Sequence, residues 1–411
     1  MSVTLSEEKN DLVKAIAKSQ GFDDYTVNIT SGSMKGDGYL GIIYTVYIQD
    51  KRKICKHLHL IMKSALTEET LRENSPIKKA YDREIYLYNV VFPAFDLLSH
   101  EVGITNRFCE TAKFYGSLSV DKEECIVLEN LKEMNFKLWN RKLAMDEKHV
   151  ALVFKTYAKF HGTGLALKYL KPEKYEELCK NLKNIFRKDE KSEDDMKQFQ
   201  ENMKFVFTNG FRAVANDEKA TQGLTKFAQE CKGFFMEDLQ KAEYSTILHG
   251  DCWCNNMMFK YNNLEDSSRP SEMCLLDWQI SQTGSPVLDL SYFFYACSAK
   301  NVLYKLKDFL TIYHQNLSKT LEEAGVNPND IPTYEGLEDQ WKFYSKHGLF
   351  MTLLVMKVIL SEVEEAPDLS ELAKSGKNLI ESISGTESKN MEAINKRLAD
   401  VIVFMNEQDY L

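Results

Sequence analysis

The sequence predicts an α+β protein in two lobes: a small antiparallel-sheet N-lobe over residues 1–131 and a larger, mostly helical C-lobe over residues 132–411. Three observations carry this expectation. β-branched and aromatic runs with alternating polarity gather before residue 131. Apolar spacing turns helical after about residue 140. At 411 residues the chain is also longer than one core usually grows, so two or three folding units are expected.

The elements follow in order. YLGIIYTVYI (39–48) ends at the charged turn DKRK (50–53), and ICKHLHLIMK (54–63) follows it. In the second run Leu58, Leu60 and Met62 share one face, while His57, His59, Ile61 and Lys63 share the other, which is the pattern of a hairpin. A helix comes next, with Ser75 as N-cap and Pro76 at its first position. Tyr81, Ile85, Tyr88 and Phe92 repeat at helical spacing, and Pro93 marks the expected end. AKFYGSL (112–118) and CIVLENL (125–131) read as two more strands. Asp146 opens a helix whose stripe of Val150, Val153, Phe154, Tyr157 and Phe160 runs to His161 and Gly162.

The charged stretch KNIFRKDEKSEDDMK (183–197) reads as a solvated face or loop. STIL (245–248) and MCLLDWQI (273–280) are strand-like, and the pattern is helical from residue 288 onward. The apolar HGLFMTLLVMKVIL (347–360) is interrupted by Lys357 and too short to span a bilayer, so a buried helix is expected.

Composition excludes several function classes. A net charge of −9 with no dense Lys/Arg block argues against a nucleic-acid partner. The N-terminal MSVTLSEEKNDLVKAI is acidic and lacks a signal core. Nine scattered cysteines, an odd number, point to free thiols in a reducing compartment, so the expected location is cytoplasmic. Asn28-Ile-Thr30 and Asn316-Leu-Ser318 fit the glycosylation pattern but carry no weight without a secretory route.

TILHGDCWCNNMMF (246–259) holds the chemistry. Asp, Asn and His sit there among Trp, Met and Phe, which reads as a buried loop whose polar groups need an outside partner. Asn256 follows Asp251 by five residues, and Asp277 lies beyond a strand-like run. Phosphoryl transfer needs these residue types: one carboxylate to orient a hydroxyl and take its proton, and hard oxygens to hold Mg²⁺ on nucleotide phosphates. Asp251 is the candidate base, and Asn256 and Asp277 are the candidate metal ligands. Lys63 supplies a cation, with Glu84 placed to pair with it 21 residues on. SGSMKGDGYLG (31–41) is a candidate flexible loop over the phosphates, with Lys35, Gly36 and Gly38 toward the nucleotide.

HGDCWCNNMMF followed by LLDWQISQTGSPVLDLSYFF resembles the ecdysteroid-kinase-like family, a branch of the choline-kinase and aminoglycoside-phosphotransferase superfamily. KGDGY (35–39), LIMK (60–63), DREIYLYNVVFP (82–93), VLENL (127–131), YAKFHG (157–162) and KHGLFMTLL (346–354) extend the likeness over most of the chain. The resemblance implies a protein-kinase-like fold and ATP with Mg²⁺ as cofactors. It also implies that the backbone of Glu129 to Leu131 pairs with adenine, and that Asp289 braces the catalytic loop. The acceptor it implies is a small-molecule alcohol, an ecdysteroid-like steroid or a hydroxylated xenobiotic. A cationic, choline-type acceptor and a catalytically inactive nucleotide-binding scaffold are the alternatives. Asn130 stands where the family has Asp, and Gly41 where a small hydroxyl residue is common.

Each residue has a plainer reading. Asp251 and Asn256 alone would suit a cap and a turn, but Lys63, Glu84 and Asp277 in the same order outweigh that. His249, Cys252 and Cys254 lack the paired spacing of a zinc site and read as packing groups. Trp253 reads as core beside the base, and His161 as a hydrogen-bonded structural histidine.

Overall fold

Alternating side chains build the N-terminal sheet. The computed structural model describes residues 4–32, 41–53, 55–186, 193–236, 239, 242, 244–263, 266, 268–362, 365 and 388–411. Strands β1 (Tyr25–Ser31), β2 (Gly41–Asp50), β3 (His57–Ala65), β4 (Phe114–Leu118) and β5 (Cys125–Glu129) form an antiparallel sheet in the order β1-β2-β3-β5-β4. Val46, Ile48, Leu60, Met62 and Val127 pack on one face against Val13, Ile16 and Ala17 of helix α1 (Glu7–Ser19). Period-2 alternation sends Lys63 to the opposite face, beside Ile126 of β5.

Helix α1 was not foreseen, although its signals are short-range. Ser6 accepts the Lys9 amide at 3.4 Å, and Glu7 and Glu8 fill the first turn.

The helix after β3 differs from the sequence expectation at both ends. Helix α2 (Glu69–Asn74) ends at Ser75, which is its C-cap, and Pro76 is the N-cap of α3 (Ile77–Tyr86). Ser75 therefore caps with backbone only, its carbonyl accepting from Ile77 N at 2.8 Å. Nor does Pro93 stop the helix. A π-helical turn, Leu87–Val91, carries it into α4 (Phe92–Val102), with Pro93 in the first turn. The widened turn, closed by Phe92 N–H on the Leu87 carbonyl, accommodates a residue with no amide proton to give.

The rest is helical around a small inlay of strands, as the sequence predicts. Asp146 caps α5 (Glu147–Leu170), accepting from Lys148 N at 2.9 Å and His149 N at 3.1 Å. Gly162 does not end this helix. A Cβ there would lie 3.1 Å from Thr320 Cβ, so the glycine lets a neighbouring helix approach. Helices α6 (Pro172–Cys179), α7 (Glu193–Ala213) and α8 (Glu218–Met236) follow. Strand β6 (Lys137–Leu138) joins β8 (Met257–Tyr261) and β9 (Pro270–Leu275), while β7 (Thr246–Leu248) pairs with β10 (Gln282–Gly284).

Helices α9 (Val287–Cys297), α10 (Lys300–Leu303), α11 (Leu306–Glu323), α12 (Tyr334–Leu360) and α13 (Met391–Glu407) complete the chain. All eleven residues of α9 are buried. The apolar stretch 347–360 lies within α12, a helix of 27 residues that starts at the Thr333 cap. By length and composition alone this longer helix passes the test for a membrane span, a test that buried core helices pass as well. Trp341, Leu349, Leu353 and Met356 are nevertheless buried in the core, as expected of a core helix.

Helix α12 rests on α9 at Gly348, where a Cβ would fall 2.4 Å from the Ser291 carbonyl carbon. Gly348→Ala is expected to destabilise the fold by about 1–3 kcal/mol, read as a lower urea midpoint with an unchanged slope.

Candidate active site

The loop between β7 and β8 is held from beneath by one buried carboxylate. Asp289, in the first turn of α9 and 1% exposed, accepts His249 N–H at 2.7 Å and Gly250 N–H at 3.0 Å. His161 Nε2 lies 3.2 Å from the same carboxylate, and its Nδ1 lies 3.0 Å from the Tyr313 hydroxyl. Burial works to raise the Asp289 carboxyl, but His161, His249 and the donated amides hold it below its usual range. His161 is thus a hydrogen-bonded structural histidine, though it sits within α5 rather than at its end.

Loop geometry then follows from Gly250. Its φ is +90°, and a Cβ would fall 2.5 Å from the Ile280 carbonyl oxygen. Burial pushes the His249 imidazole below its usual range. A neutral ring with its proton on Nε2 donates to the Leu276 carbonyl at 2.8 Å and accepts Asp251 N–H on Nδ1 at 3.2 Å. One ring therefore ties the loop to the end of β9.

Asp251 stands at the head of this loop with three donors on its carboxylate. Asn256 Nδ2 gives to Oδ2 at 2.8 Å, Trp253 Nε1 to Oδ2 at 3.2 Å, and the Tyr292 hydroxyl to Oδ1 at 3.1 Å. Burial, reinforced by the nearby Asp277 carboxylate, pushes its pKa up to about 6 against those bonds. Trp253 is more than core, since it touches the carboxylate directly.

Asn256 gives its Nδ2 protons to Asp251, so its Oδ1 is turned to other use. Leu276 N–H binds the Asn256 carbonyl at 2.9 Å, which brings Asn256 and Asp277 to the same end of the β8–β9 hairpin. Asp277 takes a left-handed φ of +64°, which Asp tolerates better than most residues. An amide oxygen and a carboxylate fit Mg²⁺, which completes its shell with water and phosphate. Among the described residues no group of three or more His, Cys, Asp or Glu could hold a metal ion.

Lys63 links both lobes of this arrangement. Its Nζ lies 2.9 Å from Glu84 Oε2 and 2.8 Å from Asp277 Oδ1. Burial acts to lower the ammonium, but Asp277 and Glu84 outweigh it and keep its pKa above the usual range. Glu84 also accepts Trp278 N–H at 3.3 Å.

Sequence reasoning missed three residues here. Gln279, 4% exposed, orients its amide to give to Asp277 Oδ1 at 3.3 Å and accept from Lys63 Nζ at 3.2 Å. Arg83 donates to the carbonyls of Ser281 and, at 2.7 Å, Lys183, pinning α3 to the C-terminal part. Tyr292 follows Asp289 by one helical turn, a spacing that could have marked it as facing the same loop.

At the hinge, Glu129 N–H is given to Lys113 at 2.9 Å and Asn130 N–H to His59 at 3.1 Å. Asn130 also caps the following turn by accepting Lys132 N–H at 3.2 Å, a role that Asp fills equally well. Leu131 begins that turn. The departure at Gly41 has a counterpart in space. A Cβ there would collide with the Tyr81 hydroxyl at 2.1 Å, so the α3 tyrosine occupies the room of a side chain at 41. Lys35, Gly36 and Gly38 lie outside the described residues.

A lysine–glutamate pair, an acidic loop and a second carboxylate on the next hairpin can hold nucleotide phosphates and take a proton from a hydroxyl. That is the equipment of a small-molecule kinase. The chain belongs to the ecdysteroid kinase-like family, whose model matches residues 35–326. It is accordingly a phosphotransferase acting on a hydroxyl acceptor.

Among solved structures, the chain is similar to a spectinomycin phosphotransferase in complex with ADP and spectinomycin, at 13% identity and TM-score 0.41, covering 97% of this chain and 98% of that one. It is also similar to the GDP complex of aminoglycoside 2′-phosphotransferase-IIIa, at 10% identity and TM-score 0.39, covering 98% and 99%. A glucosamine kinase with glucosamine, ADP and phosphate follows at 10% identity and TM-score 0.33, covering 91% and 83%. No curated protein matches.

The raised pKa of Asp251 sets a pH limit. With Asp251 as the candidate base, which must be deprotonated to act, kcat/KM is expected to fall tenfold per unit as pH drops below about 6. Tyr292→Phe removes a bond that lowers this pKa, so the acid limb should move to higher pH. A pH–rate series on both proteins checks the direction.

Proposed function

We propose that this protein is a cytosolic, ATP- and Mg²⁺-dependent kinase that phosphorylates a hydroxyl of an ecdysteroid-like steroid or a hydroxylated xenobiotic. The observation that carries the reading is the Asp251 carboxylate, half-buried, held by three donors, and close enough to Asp277 to feel its charge. The acceptor comes from the family membership, and the nine free cysteines suit a reducing compartment.

In this reading Asp251 accepts the proton of the substrate hydroxyl as its oxygen attacks the γ-phosphorus and ADP leaves. Lys63, fixed by Glu84, holds the nucleotide phosphates. Asn256 and Asp277 would hold Mg²⁺, which would neutralise phosphate charge there. The backbone of Glu129 to Leu131 would pair with the adenine. Residues 1–131 act as the nucleotide-side lobe and 132–411 as the lobe carrying the catalytic loop. Most of the rate gain comes from positioning and charge neutralisation.

The test is turnover with a panel of steroids and phenols, with the phosphorylated product identified by mass. Asp251→Asn is expected to lower kcat by about 10²–10⁴-fold, the usual contribution of a general base, while ATP binding is kept. Wild-type turnover in that variant would remove Asp251 from the mechanism.

A further inference from the structure

Arg83 is a buried cation with no carboxylate partner among the described residues. It is 8% exposed, and its guanidinium donates to two backbone carbonyls, those of Ser281 and, at 2.7 Å, Lys183. Those bonds use only part of what a guanidinium, with five N–H donors, can give. Burial pushes its pKa down to about 10, which leaves it charged at physiological pH. Neutral carbonyls compensate a buried positive charge only in part, so an anion placed beside it is stabilised.

This side chain lines a cavity of about 1040 Å³ between α3, the 181–185 segment, β10 and α12. Ligand pockets run to roughly 300–1,000 Å³, so the space suits a small molecule. Lys63, Asp251, Asn256 and Asp277 are not among its lining residues, which makes it separate from the candidate transfer site.

Two more cations share the wall with Arg83. Lys79 lies one helical turn earlier on α3, and Lys183 follows α6; both are exposed. Asp82 is the sole carboxylate among the described lining residues, and it is already taken: Lys78 holds it at 2.7 Å and the Ser119 hydroxyl donates to it. Three positive groups therefore gather on a chain whose net charge is −9. The local field favours an anion at this opening.

The remaining wall has a different chemistry. Phe235 at the end of α8, Leu239, and Met351 of α12 are apolar. His347, one turn before Met351, has its ring 6.1 Å from that of Phe235, and its Nδ1 is buried with no partner among the described residues. Such a nitrogen costs free energy until another polar atom meets it. A bare inorganic anion would satisfy the cations and leave Phe235 and Met351 uncovered. A neutral apolar molecule would cover them and leave Arg83 uncompensated. An apolar body with an anionic head does both.

We propose that this cavity is a binding site for an amphipathic anion, a carboxylate on an apolar chain. The carboxylate sits among Lys79, Arg83 and Lys183, and the chain lies on Phe235, Leu239 and Met351. The proposal does not rest on the kinase reading, and the anion is bound together with nucleotide rather than in its place.

The experiment is calorimetry on the full chain with decanoate, decan-1-ol and decylamine as probes, with and without a non-hydrolysable ATP analogue and Mg²⁺. Decanoate is expected to bind saturably, at least tenfold tighter than the alcohol or the amine, and with the same affinity when the analogue is present. Lys79→Glu with Lys183→Glu reverses two exposed charges and should weaken decanoate at least tenfold, leaving affinity for the analogue unchanged. Met351→Trp fills the apolar end and should weaken it likewise; if that variant does not fold, the lysine pair carries the test.

Four results would each overturn the proposal. Decanoate bound no tighter than decan-1-ol would make the cavity merely apolar. Wild-type decanoate affinity in the Lys79→Glu, Lys183→Glu variant would put the anion elsewhere. Competition between decanoate and the ATP analogue would put it in the nucleotide site. Absence of saturable decanoate binding would leave Arg83 a structural cation only.

Discussion

One buried carboxylate organises the site. Asp289 is almost fully withdrawn from water, where an uncompensated charge would cost several kcal/mol. It is tolerated because two backbone amides and an imidazole converge on it. Those amides belong to His249 and Gly250, so satisfying the carboxylate and shaping the loop are one event. His249 then passes the constraint on. Its ring fixes Asp251 N–H on one side and the Leu276 carbonyl on the other. Because Asn256 bonds both the carbonyl and the carboxylate of Asp251, the candidate base and a candidate metal ligand move as a unit. Helix α9 supplies the anchor and Tyr292 together, which explains why a helix so close to the chemistry is buried along its whole length.

The second constraint is the tie between sheet and helices. Lys63 leaves β3 on the face away from α1 and finds Glu84 on α3 and Asp277 beyond β9 at the same time. Arg83, beside Glu84, fastens α3 to the carbonyls of Ser281 and Lys183. Trp278, fully buried, packs between Phe92 and Phe160 with ring centroids 4.9 and 5.0 Å away, and its amide reaches Glu84. The helix is therefore seated by packing, hydrogen bonds and charge together, and this seating holds Glu84 against Lys63.

Much of this was legible in the sequence because it is local. Period-2 alternation placed Lys63 opposite the buried Leu60 and Met62, and helical spacing placed Glu84 beside Tyr81. The HGD…N…D order picked out the residues that the fold brings together. What was not legible depends on partners distant in sequence. Gly162 looks like a helix stop until Thr320 is seen packed against it, and Pro93 looks like another until the π turn before it absorbs the missing donor. Gln279 and Arg83 are ordinary polar residues by composition, and only the folded chain shows what they touch. The Gly41 departure makes sense only beside the Tyr81 hydroxyl, forty residues away in the chain.

The account stands most directly on the brace beneath the loop. Asp289→Asn puts an NH₂ group where one of the carboxylate oxygens now accepts, facing amide donors. The decisive measurement is single-turnover phosphoryl transfer by this variant, alongside its nucleotide affinity and its far-UV circular dichroism. The expected result is an unchanged spectrum and near wild-type nucleotide affinity, because Lys63 and Asp277 are untouched, with the transfer step slowed at least a hundredfold. Transfer at the wild-type rate would mean that the loop keeps its shape without Asp289, and the organising role assigned to it here would be wrong.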